Sequence, residues 1–299
     1  MGVIRVNIIE MKNLTKNYGK NRGIQNVNIS VKEGEIFGFI GPNGAGKSTT
    51  IKTLLNFIYP SSGNASILNM DIVKDSDKIK EYIGYVPSEV RYYDDIKVKD
   101  IIEYSQSFYP NINKEDTDKI CNELELDMNK KMGELSLGNK KKVSIVQALI
   151  HNPKLLILDE PTNGLDPLMQ KKLFNLLIKE KEKGNTVFLS SHNLVEIQNL
   201  CDRVAVIKDG YIVDILEIEK ATNKLKLKIT LKSEDIKEGD ILKLSEHILS
   251  KENNLYTFIY SKEIDTLVKE VSRYKVEELL IEKENLEDVF LNYYENKEI

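Results

Sequence analysis

A glycine-rich segment near the start of the chain has the residue types and spacing needed to hold phosphate. This phosphate loop consists of Gly41, Pro42, Asn43, Gly44, Ala45, Gly46, Lys47, Ser48 and Thr49. Its glycines allow backbone N–H groups to converge on phosphate oxygens without interference from Cβ atoms. Lys47 is placed to reach the β- and γ-phosphates of a nucleotide and to assist catalysis, and Ser48 to ligate Mg²⁺. The segment predicts a site for ATP and Mg²⁺.

Two adjacent carboxylates, Asp159 and Glu160, follow the apolar run from Leu155 to Leu158. A short, continuous apolar run is typical of a strand buried on both faces of a parallel sheet. Ligands of such sheets bind beyond the carboxyl ends of the strands. We therefore expect Asp159 to hold Mg²⁺ through its water shell and Glu160 to polarise the attacking water as a general base.

These motifs, in this order, resemble those of the nucleotide-binding subunits of ABC (ATP-binding cassette) proteins. Leu135–Asn139 looks like the signature motif of that family, and Asn163–Asp166 looks like its D-loop. His192, after the run ending Leu189–Ser191, looks like the switch histidine. Tyr18 matches the aromatic residue that stacks on adenine. The resemblance covers roughly residues 7–215 and implies an ATPase.

The resemblance implies a role for each matching residue. Tyr18 would stack on the adenine, although a packing role is the alternative. His192 would bond the γ-phosphate and orient Glu160 or the water. Ser136 and Gly138 would contact the γ-phosphate of ATP held by a second subunit, and Asp166 would join the same nucleotide site through the D-loop. Because the chain has one phosphate loop, the resemblance implies a head-to-tail dimer with ATP at the interface.

The chain departs from the family pattern in two places. Leu137 and Asn139 replace a glycine and the glutamine of the signature. Ser88 stands where a glutamine normally contacts Mg²⁺ and the water, so it enters the set of metal candidates. Serine is too short to span the same gap. It acts through a water, or Glu89 substitutes for it, or coupling is weakened.

The pattern of elements predicts an α/β, P-loop ATPase cassette over residues 1–215, with a helical subdomain at about 88–150. The antiparallel β subdomain of such cassettes is implied by the resemblance. Within the helical part, periodicity predicts helices at Val98–Phe108 and Lys114–Leu126, and a third helix capped by Ser136 and ending near Ile150. The pattern of residues 216–299 predicts that they form a small α+β domain, and they contain no catalytic motif. Its expected elements are strands Leu225–Leu231 and Leu255–Tyr260 and helices Glu263–Ser272 and Leu286–Tyr294.

Composition narrows the function classes. The net charge is -4, which provides no basic surface for nucleic acid, and we expect none to bind. The basic run Lys140–Lys142 is interpreted as a solvated surface. Cys121 and Cys201 are expected to be reduced thiols of a cytoplasmic protein. No apolar run approaches the roughly 20 residues needed to span a bilayer, so we expect peripheral placement on the inner face of the cell membrane through a partner.

Over its full length the chain resembles the ATPase subunits of two-component ABC-2-type exporters of drugs and peptides. The ending Leu286–Leu291 looks like theirs, and a separate permease is expected to dock near Ser88–Ile102, including Tyr92 and Tyr93 unless those tyrosines are core residues. The alternatives are an importer subunit with a regulatory C-terminal domain and a soluble ATPase acting on nucleic acid or ribosomes. A substrate-binding protein in the same operon would favour the importer. The cargo is contacted by the permease and is not encoded in this chain.

Overall fold

The fold is taken from a computed structural model of the 299-residue chain, which describes residues 6–19, 21–110, 112–223 and 226–283. The chain divides into two compact units, Met1–Ile218 and Glu219–Ile299. The helix predicted at Leu286–Tyr294, the ending Leu286–Leu291 and the predicted strand start at Leu225 lie outside the described residues.

The first unit contains ten strands in its described part. In chain order they are β1 (Asn7–Tyr18), β2 (Asn21–Lys32), β3 (Ile36–Ile40), β4 (Ser62–Ile67), β5 (Met70–Asp71), β6 (Ile83–Val86), β7 (Leu155–Asp159), β8 (Thr186–Ser191), β9 (Arg203–Lys208) and β10 (Tyr211–Glu217). They form a four-stranded antiparallel sheet, β2-β1-β4-β5, and a six-stranded sheet, β10-β9-β3-β8-β7-β6.

The six-stranded sheet carries the site. Its strands β9, β3, β8, β7 and β6 are parallel, and only β10 runs antiparallel at one edge. Every residue of β3, β7 and β8 is buried, as expected for strands covered on both faces. Phe37 stacks on Phe188 of the neighbouring strand at 5.9 Å between ring centroids. The hairpin between β9 and β10 turns at Asp209 and Gly210, and both residues have positive φ, which a type I′ turn requires.

Helices connect these strands. The first unit has α1 (Lys47–Leu54), α2 (Ser76–Lys80), α3 (Val98–Ser107), α4 (Lys114–Glu123), α5 (Leu137–Leu149), α6 (Pro167–Glu182) and α7 (Leu194–Leu200), and α8 (Ile218–Asn223) follows β10. Helices α3, α4 and α5 lie where periodicity predicts them, within three residues at each end. Helix α4 ends at Glu123 because Leu124 and Glu125 leave the helical conformation.

The second unit is a small α+β fold. It contains β11 (Leu227–Ser233), α9 (Glu238–Leu244), β12 (His247–Glu252), β13 (Leu255–Tyr260), α10 (Ile264–Val271) and β14 (Val276–Lys283). The strands form one antiparallel sheet in the order β12-β13-β11-β14. This order and the βαββαβ sequence define a split βαβ, ferredoxin-like arrangement. Its core joins both helices to one face of the sheet through Ile241, Leu267, Val271, Ile229 and Phe258.

Across the described ranges, none of the helices has the length and apolar character required to cross a bilayer.

Candidate functional site

The phosphate loop connects strand β3 to helix α1. Gly46 precedes the first helical residue with φ of 113°, a conformation that favours glycine. A Cβ there would also lie 2.8 Å from the Cγ2 atom of Ile24. Pro42, Asn43 and Gly44 are exposed, and Ala45 N–H donates to the Pro42 carbonyl at 3.1 Å. The loop therefore stands open at the N-terminus of α1, where anions are favoured.

The two residues after Lys47 belong to the first turn of α1. Ser48 and Thr49 are half-buried. The Thr49 carbonyl accepts the Thr53 hydroxyl at 2.8 Å, which holds the turn. Ser48 thus has a partly accessible hydroxyl next to the loop, as an oxygen ligand of Mg²⁺ must have.

Lys47 is buried, with 6% of its surface exposed. Its ammonium donates to the Gly41 carbonyl at 2.6 Å and the Pro42 carbonyl at 3.3 Å. It also pairs with Glu160 Oε1 at 3.2 Å. The phosphate loop is thereby joined directly to the carboxylate of Glu160, the residue that follows β7.

Asp159 is the last residue of β7 and is fully buried. Its Oδ1 accepts the Ser190 hydroxyl at 2.6 Å, because β7 and β8 are parallel neighbours that pair Asp159 with Ser190. Asp159 Oδ2 has no hydrogen-bond partner among the described residues. A buried carboxylate oxygen is costly unless something bonds it, so Oδ2 fits a hard cation with oxygen ligands, such as Mg²⁺.

Glu160 follows in a strained backbone conformation. Its φ is 50°, in the left-handed region that residues with a Cβ rarely adopt. Its N–H donates to the Ser190 carbonyl at 3.2 Å and the Ser190 hydroxyl at 3.1 Å. His192 Nδ1 lies 2.7 Å from Glu160 Oε2. The Glu160 carboxylate is thus held between Lys47 and His192.

The side chain of His192 is 51% exposed. It sits just beyond β8, whose neighbours in the sheet are β3 and β7. Three sequence motifs therefore converge because their strands are adjacent and parallel. Lys47, Asp159, Glu160 and His192, which the sequence predicts to act together, are brought together by the structure.

Helix α5 supplies Lys141, which belongs to the basic run Lys140–Lys142 and is buried instead of solvated. Lys141 is 1% exposed, and Lys142 is 8% exposed, so the interpretation of Lys140–Lys142 as a solvated run fails. The Lys141 ammonium donates to the carbonyls of Pro87 and Ser88 at 2.8 Å each and of Glu160 at 3.4 Å. Burial lowers the pKa of Lys141 to about 8, while the carboxylates of Asp159 and Glu160 oppose that shift.

The signature segment, residues 135–139, lies against the D-loop segment, residues 163–166. Ser136 caps α5 as predicted, and its Oγ accepts the Asn139 N–H at 3.3 Å. A Cβ on Gly138 would lie 2.2 Å from the Gly164 carbonyl. Asp166 caps α6 by accepting the Met169 N–H at 3.0 Å. No hydrogen bond or ion pair found in the described ranges joins Ser136, Gly138 or Asp166 to the phosphate loop.

Tyr18 lies at the end of β1, and its side chain is exposed. Its ring carbon Cδ2 would be 3.5 Å from a Cβ on Gly23, and the next residue, Ile24, packs beside Gly46. Lys16 Nζ lies 5.5 Å from the centroid of the ring. Gly23 and Ile24 therefore lie between Tyr18 and the phosphate loop. The ring of Tyr18 is exposed and available for stacking.

Ser88 is half-buried at the segment that follows β6, and its carbonyl oxygen accepts from Lys141. Glu89 is exposed and pairs with Arg91 at 3.1 Å on the surface. Tyr92 and Tyr93 differ in how far their side chains are exposed to solvent. Tyr93 is 82% exposed, whereas Tyr92 donates to Gln147 Oε1 at 2.6 Å within the helical part.

Sequence reasoning missed two contributors to the site. Ser190 bonds the carboxylate of Asp159 and the backbone N–H of Glu160, and its position at the end of a buried strand beside β7 was the available signal. Lys141 is three residues after Gly138 and four before Ile145, which places it on the buried face of α5. Nearby, burial and the Asp159 carboxylate raise the pKa of Tyr85 to about 12, so its hydroxyl stays protonated.

Comparison with known proteins agrees with this geometry. The family model described as ABC transporter matches residues 24–163. The bacitracin transport ATP-binding protein BcrA of Bacillus licheniformis is 36% identical over 76% of each chain. BcrA of Enterococcus faecalis is 29% identical over 95% of each chain. The dimeric cassette MJ0796, solved with ADP and phosphate bound, is 26% identical with a TM-score of 0.63, covering 70% of this chain and 98% of that one.

Subunits of this kind bind and hydrolyse ATP, pair with membrane permeases and dimerise. The chain belongs to the ABC transporter family, as an ATP-binding subunit with ATPase activity.

Proposed function

We propose that Glu160 is the general base of ATP hydrolysis in this chain, with Lys47 and His192 holding its carboxylate in place. The observation that carries this assignment is the row of contacts from Lys47 Nζ to Glu160 Oε1 at 3.2 Å and from Glu160 Oε2 to His192 Nδ1 at 2.7 Å. A base must lie within hydrogen-bond reach of the proton that it removes. The contacts on both oxygens fix the carboxylate beside the phosphate loop, where the attacking water would be.

The phosphate loop would bind the triphosphate through the backbone N–H groups of Gly41–Thr49 and the N-terminus of α1. Tyr18 would stack on the adenine. Ser48 and the unpartnered Oδ2 of Asp159 would hold Mg²⁺. When bound, Mg²⁺ neutralises charge on the phosphate oxygens. Ser88 remains a candidate for the same ion, with its hydroxyl acting through a water.

The catalytic unit would be a head-to-tail pair of copies of this chain. One phosphate loop serves each chain, and the signature segment is capped and exposed at Ser136. Ser136 and Gly138 would contact ATP held by the partner copy, with Asp166 at the same interface. Leu137 and Leu168 are 58% and 61% exposed, and contact with a second copy would cover them. Closure on ATP and opening after hydrolysis would then form the power stroke.

The helical part carries an aromatic surface for a membrane partner. Tyr93, Tyr104 and Phe108 are 82%, 66% and 64% exposed, and Tyr104 meets Phe108 edge to face at 4.9 Å. Exposed aromatic residues of this kind mark interaction sites. Beside them, Arg91, Tyr92, Gln147 and His151 line an open groove. We assign this aromatic surface, residues 93–108 with the groove, to a permease that is a separate chain.

The transporter would be an exporter of drugs, peptides or lipids. This direction is supported by the bacitracin transport names of two relatives, one of which matches the chain over 95% of both lengths. It is also supported by the resemblance to two-component exporter subunits. The chain would then work on the cytoplasmic side of the membrane, held there by the permease.

The experiment is affinity purification of a tagged Glu160→Gln chain from gently solubilised native membranes, with partners identified by mass spectrometry. A stoichiometric multi-helix permease supports the assignment, and an exporter-type permease supports the direction. A tagged Lys47→Ala chain, which should lose nucleotide binding, is the control for partners that require ATP. Recovery only in the soluble fraction, without a membrane partner, contradicts the transporter role and leaves the ATPase chemistry intact.

A further inference from the structure

One buried lysine joins three parts of the site that the sequence keeps far apart. Lys141 lies in α5, the helix that begins at the signature segment, and is 1% exposed. Its ammonium donates to the carbonyls of Pro87 and Ser88 at 2.8 Å and of Glu160 at 3.4 Å. A lysine ammonium has three N–H donors. Each donor therefore has a backbone carbonyl within reach.

These three carbonyls follow neighbouring strands. Pro87 and Ser88 come directly after β6, and Glu160 comes directly after β7, its parallel partner. A buried ammonium is tolerated only where charge and hydrogen bonds compensate for lost hydration. Here the compensation comes from backbone carbonyls that directly follow two strands. The Ser88 segment follows β6, and Glu160 follows β7.

The contact with Glu160 is made to a strained residue. Glu160 has φ of 50°, and strained conformations persist only where the surroundings hold them. Ser190 holds its N–H, and Lys141 holds its carbonyl. The direction of the Glu160 side chain depends on this peptide geometry, so both backbone contacts help to aim the carboxylate at Lys47 and His192.

Helix α5 also reaches the aromatic surface. Gln147, six residues after Lys141, accepts from Tyr92 at 2.6 Å and donates to the Ser105 hydroxyl of α3 at 2.7 Å. A displacement of the helical part would therefore move α5 as a whole, and Lys141 with it. One helix connects the proposed permease surface at one end with the Glu160 backbone near the other.

We propose that Lys141 is a positioning residue that couples the helical part of the chain to the catalytic carboxylate of Glu160. This inference rests on the proposed function, in which Glu160 is the base. The link runs through the backbone carbonyls of Pro87, Ser88 and Glu160. It therefore does not need a long side chain at position 88, where serine replaces glutamine.

The first test compares Lys141→Met with Lys140→Met, a neighbouring lysine whose ammonium reaches Asp94 at 3.6 Å on the surface. Methionine replaces the four-carbon stem of lysine with an unbranched apolar chain of four atoms and removes the donors. We expect kcat for ATP to fall about 10- to 100-fold in Lys141→Met, because small misplacements of a catalytic group cost that much. The Kd for ATP should stay within about twofold, since the phosphate loop is untouched. Lys140→Met should match the wild-type chain.

A partial replacement separates positioning from packing. Lys141→Gln restores two N–H donors at a shorter reach, and we expect its kcat to lie between those of Lys141→Met and the wild-type chain. This variant also carries the test if Lys141→Met fails to fold. Equal losses of kcat and ATP affinity in both variants would overturn the inference, as would a wild-type kcat in Lys141→Met.

A second readout does not depend on turnover. Amide hydrogen exchange of residues 160–165, measured without nucleotide, should be faster in Lys141→Met than in the wild-type chain, and unchanged in Lys140→Met. Unchanged exchange in Lys141→Met would contradict the coupling. Faster exchange there, together with normal turnover by Glu160→Gln, would leave the contact standing and refute Glu160 as the base. The two failures are therefore distinguishable.

Discussion

At the scale of single residues, the site is built from short contacts that orient one carboxylate. Glu160 is held through its N–H by Ser190, through its carbonyl by Lys141 and through its two carboxylate oxygens by Lys47 and His192. Fixed groups of this kind catalyse because they need little reorganisation during the reaction. The strained φ of Glu160 is the cost of that orientation.

His192 gives the first prediction. His192→Ala should lower kcat about 10- to 100-fold, because it removes the group that orients the Glu160 carboxylate. The Kd for ATP should change by less than about threefold, since the phosphate loop and the N-terminus of α1 would supply most contacts to the triphosphate and His192 at most one. Steady-state ATPase assays and nucleotide binding measure both quantities. His247→Ala, in an exposed position on β12, is the control; equal kcat values for the two variants would refute the role of His192.

The residues of this site differ in how well the sequence reveals them. Lys47, Asp159, Glu160 and His192 lie in motifs whose order along the chain is specific, and parallel neighbouring strands bring them together. Lys141 was hidden inside a run of three lysines that composition assigns to the surface. Only its place on the helical face of Gly138 and Ile145 indicates burial. Its three acceptors belong to two other segments of the chain. The sequence alone does not show that these segments lie next to Lys141.

At the scale of elements, helix α5 ties the signature segment, the helical part and the sheet together. Its start packs Gly138 against the D-loop segment. Its end places His151 against Tyr109, with ring centroids 4.2 Å apart, and His151 Nε2 donates to the Ile83 carbonyl at 3.1 Å. The helix is thus fixed at its start to the D-loop segment and, just beyond its end, to the first residue of β6.

The close approach at Gly138 gives the second prediction. Gly138→Ala should destabilise the chain by about 1–3 kcal/mol, the usual cost of overpacking, because its Cβ would lie 2.2 Å from the Gly164 carbonyl. Gly239→Ala in α9 meets no atom within 4 Å and should be neutral or stabilising. Urea unfolding of both variants measures the difference. Equal free energies of unfolding would show that the D-loop segment yields without cost.

His151 gives a prediction of pH dependence. Burial lowers its pKa below the ordinary value, although its bond to the Ile83 carbonyl opposes the shift. As pH falls below about 6.5, the unfolded chain binds a proton that the folded chain resists. The free energy of unfolding should therefore decrease from pH 7.5 to pH 5.5, and less so in His151→Gln, which can still donate to Ile83. The same decrease in both proteins would contradict the assignment.

The sequence predicts well the helices and strands whose apolar residues follow a clear pattern. It does not predict strands that form mainly because they pair with a neighbouring strand. Helices α3, α4 and α5 carry helical patterns of apolar residues, β7 is an apolar run up to Leu158, and β8 has the apolar run Val187–Leu189 at its centre. Strands β4 and β5 were missed because the first half of Ser62–Ile67 is exposed and polar and β5 has two residues. Strand β14 was missed because its exposed, charged residues are typical of a loop. Whether such segments form strands depends on their pairing with other strands more than on their own residues.

At the scale of the whole molecule, the chain separates binding and chemistry from its C-terminal unit. Every candidate site residue, from Tyr18 to His192, precedes Ile218, where the first unit ends. The second unit has its own core and a complete split βαβ sheet. Units with separate cores can fold independently.

This division predicts the behaviour of a shortened chain. A chain ending after residue 223, which keeps α8, should bind ATP with a Kd within about threefold of the full chain, because the whole site lies in the first unit. Circular dichroism would verify that the shortened chain is folded, and nucleotide titration would measure the Kd. A folded chain without ATP binding would show that the second unit contributes to the site.

The central claim, that Glu160 is the base of an ATPase that closes around ATP, is tested most directly by Glu160→Gln with Glu182→Gln as an exposed control. Light scattering and ATP turnover are measured on the same samples with Mg²⁺ and ATP. The account predicts that Glu160→Gln binds ATP, accumulates as a dimer and turns over about 10²- to 10⁴-fold more slowly, while the control matches the wild-type chain. Turnover by Glu160→Gln within a few-fold of the wild-type rate would contradict it.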